Sequence, residues 1–423
     1  MKNIIYCFAY LITSISSSAW ASGTIVLTID EAMRLAELNS PRLSAAKFHE
    51  LAANKSVDIA KSNYFPTLNF EAIDSTGFPA SSSGTNVGGI MGSPYRSGFA
   101  AGFVAEQTIY DFGRTYYGVE ASKSEVERSK QDTRVTTYEV KKLALQAFYE
   151  CAYYRTQKDV WRDLSQESAV ITNQAQKFVN IGQRSIVDRY LSRAQTEQAK
   201  TAQAFFATRL NESISELSVI LGISNKSFSC PKLPNDLTPI LNPASNLEAS
   251  PLVSRAATET KVAEARLNQE KAGYYPKIVA VASAGGMASS RLVNKQDYSA
   301  GIGFVFPLLD LHTNGEVHRA QALALASQEE LAAQKQNLGI MNAKYDQDIR
   351  SYQVRLKRLG LEFTLANKAF ITAKKRYFSL EGELIDLREA FQNLARVESE
   401  IEDTRTKLLN AKGSKALLNG SQD

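Results

Sequence analysis

Four short stretches of the chain alternate apolar side chains with polar or small ones at a period of two. Leu68, Phe70 and Ala72 alternate with Asn69 and Glu71, while Phe99, Ala101, Phe103 and Ala105 alternate with Ala100, Gly102, Val104 and Glu106. Ile278, Ala280 and Ala282 oppose Val279, Val281 and Ser283, and Tyr298, Ala300, Ile302, Phe304 and Phe306 oppose Ser299, Gly301, Gly303 and Val305. This spacing predicts strands over about 67–76, 98–110, 277–285 and 297–307. The remaining pattern is helical. Between Arg114 and Ile181 there is no proline and one glycine, Gly118, so a continuous helix would run about 100 Å, more than a compact domain needs. From Gly315 onward Val317, Ala320, Ala324, Ser327, Leu331, Gln334, Leu338, Met341, Tyr345, Asp348 and Tyr352 keep the alternating three-four step of a heptad seam. Val140, Ala144, Ala147, Cys151 and Tyr154 form a similar seam, and Tyr138, Leu145, Tyr149 and Ala152 form a second stripe beside it. Two adjacent stripes call for a neighbour on each side, as in a wall of helices.

Prolines divide these elements, and they do so twice. Ser40-Pro41 opens a helical stretch that ends at Tyr64-Phe65-Pro66, and Ser250-Pro251 opens another that ends at Tyr274-Tyr275-Pro276. A serine before proline supplies an N-cap and then a residue whose fixed φ suits the first turn. Pro66 and Pro276 lack the N–H a continuing helix requires and turn the chain into a strand. Thr28-Ile29-Asp30-Glu31 has the spacing of a capping box and predicts another helix start. The chain therefore reads as two structural repeats. They cover 22–223, with long helices over 114–222, and 251–410, with long helices over 315–410. A Pro-rich linker at 224–250 wraps the helices between them, and a tail follows at 411–423, where Gly413, Ser414 and Gly420 interrupt the heptad.

The first residues bear on compartment. Lys2 precedes an apolar stretch from Ile4 to Ile15, and Ala19-Trp20-Ala21 has the small-x-small form of a cleavage site, which predicts a signal peptide over 1–21. The apolar run is shorter than the roughly 20 residues of a spanning helix. Past that segment no stretch is apolar enough for a membrane helix, so entry into a bilayer would have to use strands. The net charge of +5 comes from lysines and arginines interleaved with acids, with no patch for nucleic acid. Cys151 and Cys230 are too few for a disulfide scaffold and read as one core and one loop residue. Ser75 to Ser97 and Ala284 to Asp297 are rich in glycine and serine and read as loops joining the paired strands.

Each predicted strand is about 10 residues long, enough for a tilted strand to cross an outer membrane. Four strands cannot close a barrel, and an open edge is not tolerated in lipid, so the chain is expected to oligomerise. Three copies supply 12 strands above a ring of helices with an open bore; two supply only eight, a size that side chains fill.

The mature chain resembles the TolC family of outer-membrane channels. The resemblance rests on Thr28-Ile29-Asp30-Glu31-Ala32 with Asn39-Ser40-Pro41, the two aromatic-aromatic-Pro junctions, Ile109-Tyr110-Asp111-Phe112-Gly113-Arg114, and Gly182 followed six residues later by Asp188. It implies an α+β membrane protein: a homotrimer whose 12-stranded barrel, four strands per chain, lies among outer-membrane lipid and continues into a periplasmic α-helical coiled-coil tunnel. It implies a periplasmic adaptor, of the membrane fusion class, and an inner-membrane ABC or proton-driven transporter as partners, and no cofactor. Pro66, Pro276, Asp111 and Gly113 fall at the helix–strand junctions.

The segment Tyr377 to Ala390 aligns with the turn at which the family's periplasmic entrance narrows. Asp386 and Glu389 match its two acidic constriction positions, and their i, i+3 spacing places both on one helix face. Three chains would then present two stacked acidic rings favouring cations. Asp188 and Tyr377 match an acid and a tyrosine that form the entrance latch. The chain departs from the pattern at Gly382, where close relatives of the type member carry arginine; Arg184 and Arg388 are the candidates to replace it.

An enzyme is not expected, because His49, His312 and His318 form no triad and no metal-ligand spacing. A surface adhesin would account for long helices but not for duplicated strand pairs. Within the channel class, small-molecule efflux and type I protein secretion remain open alternatives.

Overall fold

The computed structural model describes residues 25–75, 86–87, 90–91, 98–223, 228–234, 249–289 and 292–420. The expected signal peptide and the Gly88-Gly89 pair lie outside them. In chain order the elements are β1 (Ile25–Val26), α1 (Ile29–Asn39), α2 (Pro41–Ser62), β2 (Thr67–Ser75), β3 (Asn86–Val87), β4 (Ile90–Met91), β5 (Gly98–Tyr110), α3 (Arg114–Asn180) and α4 (Ile186–Leu221). They continue with β6 (Phe228–Ser229), α5 (Pro251–Lys271), a single 3-10 turn at Ala272–Tyr274, β7 (Lys277–Ser289), β8 (Leu292–Val305), α6 (Leu311–Phe378) and α7 (Leu384–Leu418).

Local chemistry fixes most of the boundaries. Thr28 caps α1 reciprocally with Glu31, and the Ser40 hydroxyl accepts from the Leu43 amide at the start of α2. Ser250 differs from its counterpart: its hydroxyl makes no capping bond and is buried, so Pro251 alone sets the start of α5. Asp310 caps α6 by accepting from the amides of His312 and Thr313. Gly113, at φ +97, turns the chain from β5 into α3.

The four long strands form one antiparallel sheet in the order β2-β5-β7-β8, and its two faces differ. One row across all four strands aligns Phe70, Phe103, Ala284 and Tyr298, with Phe70 and Phe103 rings 5.1 Å apart. The next row, on the opposite face, aligns Asn69, Val104, Ser283 and Ser299, and the two serine hydroxyls bond at 2.8 Å. The β7–β8 pairing runs further than the 277–285 and 297–307 expected: Gly286 pairs with Gln296 and Met287 with Lys295. Backbone bonds hold that ladder, so Gly286, read as a loop residue, extends the strand instead. Strand β8 stops at Val305, ahead of Pro307, which has no N–H to offer.

Below the sheet, α3 is the central post, packed on α2, α4, α5 and α7, while α6 packs on α5 and α7. The helical wall carries two cores. The upper one joins Tyr138, Ala144, Leu145 and Ala152 of α3 to Leu217 and Leu221 of α4 and Leu417 and Leu418 of α7. The lower one joins Leu164, Ile171 and Phe178 of α3 to Phe370 and Tyr377 of α6 and Leu387 and Phe391 of α7.

Two sequence expectations are corrected here. The tail expected from 411 is instead the last turns of α7, with Ala411, Ser414, Ala416, Leu417 and Leu418 buried. Gly413 ends no helix; a Cβ there would lie 2.7 Å from Leu145 Cδ1, so the missing side chain lets α7 pack closely on α3. Cys151 and Cys230 are bonded to each other, with Cα atoms 5.8 Å apart. The described part of the linker is pinned to α3 by this bond, by the Leu233 amide donating to Thr156 Oγ1 at 3.1 Å, and by Lys232 pairing with Asp159 at 2.8 Å.

Candidate functional site at the tips of the helical hairpins

At the end of the wall far from the sheet, the chain reverses twice: between α3 and α4, and between α6 and α7. In the first reversal Gly182, at φ +75, lets its own amide reach the Val179 carbonyl and the Gln183 amide reach the Phe178 carbonyl. This paired bonding ends a helix on a left-handed residue. The second reversal repeats it 198 positions later with Leu380, at φ +67, in the glycine's place. The Glu381 amide donates to the Arg376 carbonyl at 2.9 Å, closing the turn. A leucine in the left-handed region is strained by about 1–3 kcal/mol, a strain that its surroundings must hold.

The two tips touch through a small set of side chains. Tyr377, at the end of α6, is fully buried and packs edge-on against Phe178, with ring centroids 5.9 Å apart. Its hydroxyl donates to Asp188 Oδ2 in the first turn of α4 at 3.2 Å. Burial foremost, then the neighbouring Asp188 charge, pushes the Tyr377 phenol far above its ordinary range, so the group remains a neutral donor. Further up, Lys374 pairs with Glu167 at 2.5 Å, a second tie between α6 and α3.

Of the two arginines considered as replacements near Gly382, the structure brings one into place. Arg184 donates through Nη2 to the Gly382 carbonyl, and its guanidinium carbon lies 5.1 Å from the centre of the Tyr377 ring. Arg388 makes no such contact; its Nε is buried with no hydrogen-bond partner.

Asp386 and Glu389 are both solvent-exposed in the first turns of α7. They are not joined to the Tyr377–Asp188 pair. Asp386 lines a shallow groove with Glu383, and Lys368 and Arg376 line the same groove, so basic groups share the space beside one of the two acids.

The junction residues gather at the opposite end. Asp111 accepts from the Gly113 and Thr115 amides at 3.2 and 2.8 Å. Phe112 packs edge-on against Tyr110 at 4.8 Å and stacks on Tyr275 at 5.6 Å, so an aromatic contact links the two repeats where helices meet strands. Pro66 and Pro276 each stand one residue before a strand of the sheet. Sequence reasoning missed the Lys374–Glu167 pair and the disulfide. Their partners are far apart in the chain, and only the α3–α6 and α3–linker packing brings them together.

Among the described residues no helix is long and apolar enough to cross a membrane, and no cluster of His, Cys, Asp and Glu could hold a metal ion. Residues 32–223 match the family model described as outer membrane efflux protein. No curated protein matches the chain. Among solved structures, CusC aligns with a TM-score of 0.81 at 14% identity, over 96% of this chain and 96% of that one. VceC from Vibrio cholerae aligns at 0.78 and 14%, over 93% and 97%, and the CmeC channel of Campylobacter jejuni at 0.74 and 16%, over 100% and 96%. Residues 32–223 are thus similar to the outer membrane efflux protein family, and over nearly its whole length the chain shares the fold of these solved channels, a small sheet set on a wall of long helices.

Proposed function

We propose that three copies of this chain close into an outer-membrane export conduit, fed from an inner-membrane transporter through a periplasmic adaptor. One observation carries the reading: the sheet and the helical wall have matching free edges. The sheet runs β2-β5-β7-β8 and the upper wall runs α2-α3-α5-α6, each strand lying next to its own helix, so one flank of the protomer is α2 with β2 and the other is α6 with β8. Both flanks carry apolar side chains with no cover in the single chain: Phe48, Leu51 and Ile59 on α2, Leu323, Leu325 and Ile340 on α6. Two different edges of one chain that meet head to tail generate a closed ring when the rotation between copies closes. Three chains give 12 strands, and the face bearing Leu68, Phe70, Phe103, Ile302 and Phe304 turns toward lipid while the row of Asn69, Ser283 and Ser299 lines the bore.

At the far end, Tyr377 and Asp188 hold the hairpin tips of each chain together, and Asp386 with Glu389 form the acidic constriction. Small-molecule efflux and type I protein secretion both fit this conduit, and the match to an outer membrane efflux protein model supports export in general. The test is direct. Protein purified in detergent has the mass of three chains and conducts ions across planar bilayers; a stable monomer without conductance rejects the reading.

A further inference from the structure

The two hairpin tips are related residue by residue at a spacing of 198: Gly182 corresponds to Leu380, Arg184 to Gly382, Ser185 to Glu383 and Asp188 to Asp386. Within this correspondence the glycine and the bulky residue change places. The first tip has glycine at the left-handed position and arginine two residues on; the second has leucine at the left-handed position and glycine two residues on. The exchange makes the tips complementary. Arg184 reaches across from the first tip, donates to the Gly382 carbonyl, and covers the face of the Tyr377 ring. A Cβ at 382 would lie 3.0 Å from Arg376 Cβ and 3.3 Å from both the Arg376 carbonyl carbon and the Tyr377 amide nitrogen. A side chain of the second tip's own at that position would crowd the Arg376–Tyr377 backbone, which would have to give by a few tenths of an ångström.

We infer that Arg184 is the side chain that holds this channel's entrance shut, acting from the first hairpin on the backbone of the second. Two contacts converge on it. Its guanidinium fixes the Gly382 carbonyl, lies over the ring of Tyr377, and so keeps that phenol aimed at Asp188 3.2 Å away. It also restrains the turn in which Leu380 is held left-handed, the strained part of the tip. Freed of Arg184, the α6–α7 tip can relax and swing from the α3–α4 tip. A planar fork suits this double role and an ammonium does not.

This assignment rests on the channel reading above, and the experiment separates the two. Single-channel conductance in planar bilayers is compared for the wild type, Arg184→Ala, Arg184→Lys, Tyr377→Phe and Gln183→Ala, the last an exposed neighbour. Matched far-UV helicity checks that each variant is folded. The expected result is a severalfold rise in conductance or open probability for Arg184→Ala, a smaller rise for Arg184→Lys, and wild-type behaviour for Gln183→Ala. A rise in Tyr377→Phe with none in Arg184→Ala overturns the role of Arg184 and leaves the channel and its tyrosine latch standing. An equal rise in Gln183→Ala also overturns it, since any change at the tip would then loosen the entrance. No conductance from any protein, wild type included, overturns the channel reading itself.

Discussion

At the scale of single residues, the proposed latch rests on very little chemistry. The Tyr377–Asp188 bond joins a buried phenol to a half-buried carboxylate, a type of bond worth about 1.5–3 kcal/mol. Tyr377→Phe keeps the ring packing against Phe178 and removes only that bond. The expected outcome is a higher open probability in bilayer recordings with unchanged helicity; identical traces would remove Asp188 as an acceptor of consequence. Leu380 offers the converse change. It occupies a left-handed conformation that its counterpart Gly182 adopts freely, so Leu380→Gly relieves about 1 kcal/mol of strain. Amides at 376–384 should then exchange with deuterium several-fold more slowly than in the wild type, and faster exchange would show that the leucine side chain contributes more than its backbone costs. The position of Tyr377 and Asp188 was readable from the sequence only through resemblance. Arg184 stood as one of two arginines, because nothing local to either says which reaches a carbonyl on another hairpin.

At the scale of elements, strands and helices were legible because prolines end one and alternation starts the other, and both signals are local. The stripes Val140-Ala144-Ala147-Cys151 and Tyr138-Leu145-Tyr149-Ala152 of α3 are both buried, in one core shared with α1, α4 and α7. Close approach was not legible: Gly413 reads as a break until Leu145 is seen beside it. The same holds for the cysteines, separated by 79 positions and joined only because the linker lies along α3. A crosslink closing a loop of that length restricts the unfolded chain by up to about 4–5 kcal/mol on the entropic account. Reductant should therefore lower the melting temperature of the wild type and leave a Cys151→Ser, Cys230→Ser double variant unchanged; equal behaviour of the two would show that packing alone holds the linker. A pH effect belongs to the α3–α7 contact. Burial is the main cause that raises the carboxyls of Glu398 and Glu402 above their ordinary value, with Asp163 adding to the first. A carboxyl raised in the folded state binds its proton more tightly there than when unfolded. Its charge thus destabilises the fold above the raised value, and the cost fades as pH falls toward the ordinary value of 4.5. Glu398→Gln should raise the melting temperature at pH 7 and have little effect near pH 4, and an equal gain at both would assign the effect to packing.

At the scale of the whole molecule, the proposed trimer makes the charge at the mouth a property of copies acting together. Asp386 and Glu389 are exposed and unremarkable in one chain, and only symmetry turns them into rings. Replacing both, Asp386→Asn with Glu389→Gln, should move the reversal potential in a salt gradient toward that of an unselective pore. An unchanged potential would place the constriction elsewhere, and the shared groove with Lys368 and Arg376 makes Glu389 the first single change to try. The matching flanks of sheet and wall have a genetic consequence. Every ring has as many seams as chains, and a protomer with one spoiled flank, for example Phe48→Glu with Ile59→Glu on α2, still offers a sound α6 flank to a healthy neighbour. If three chains close the ring as proposed, such a protomer is not simply lost; it enters assemblies and spoils them. Produced in equal amounts with the wild type, it would leave only about one ring in eight free of defective chains, so the lesion would act dominantly although each defective chain lacks nothing but an edge.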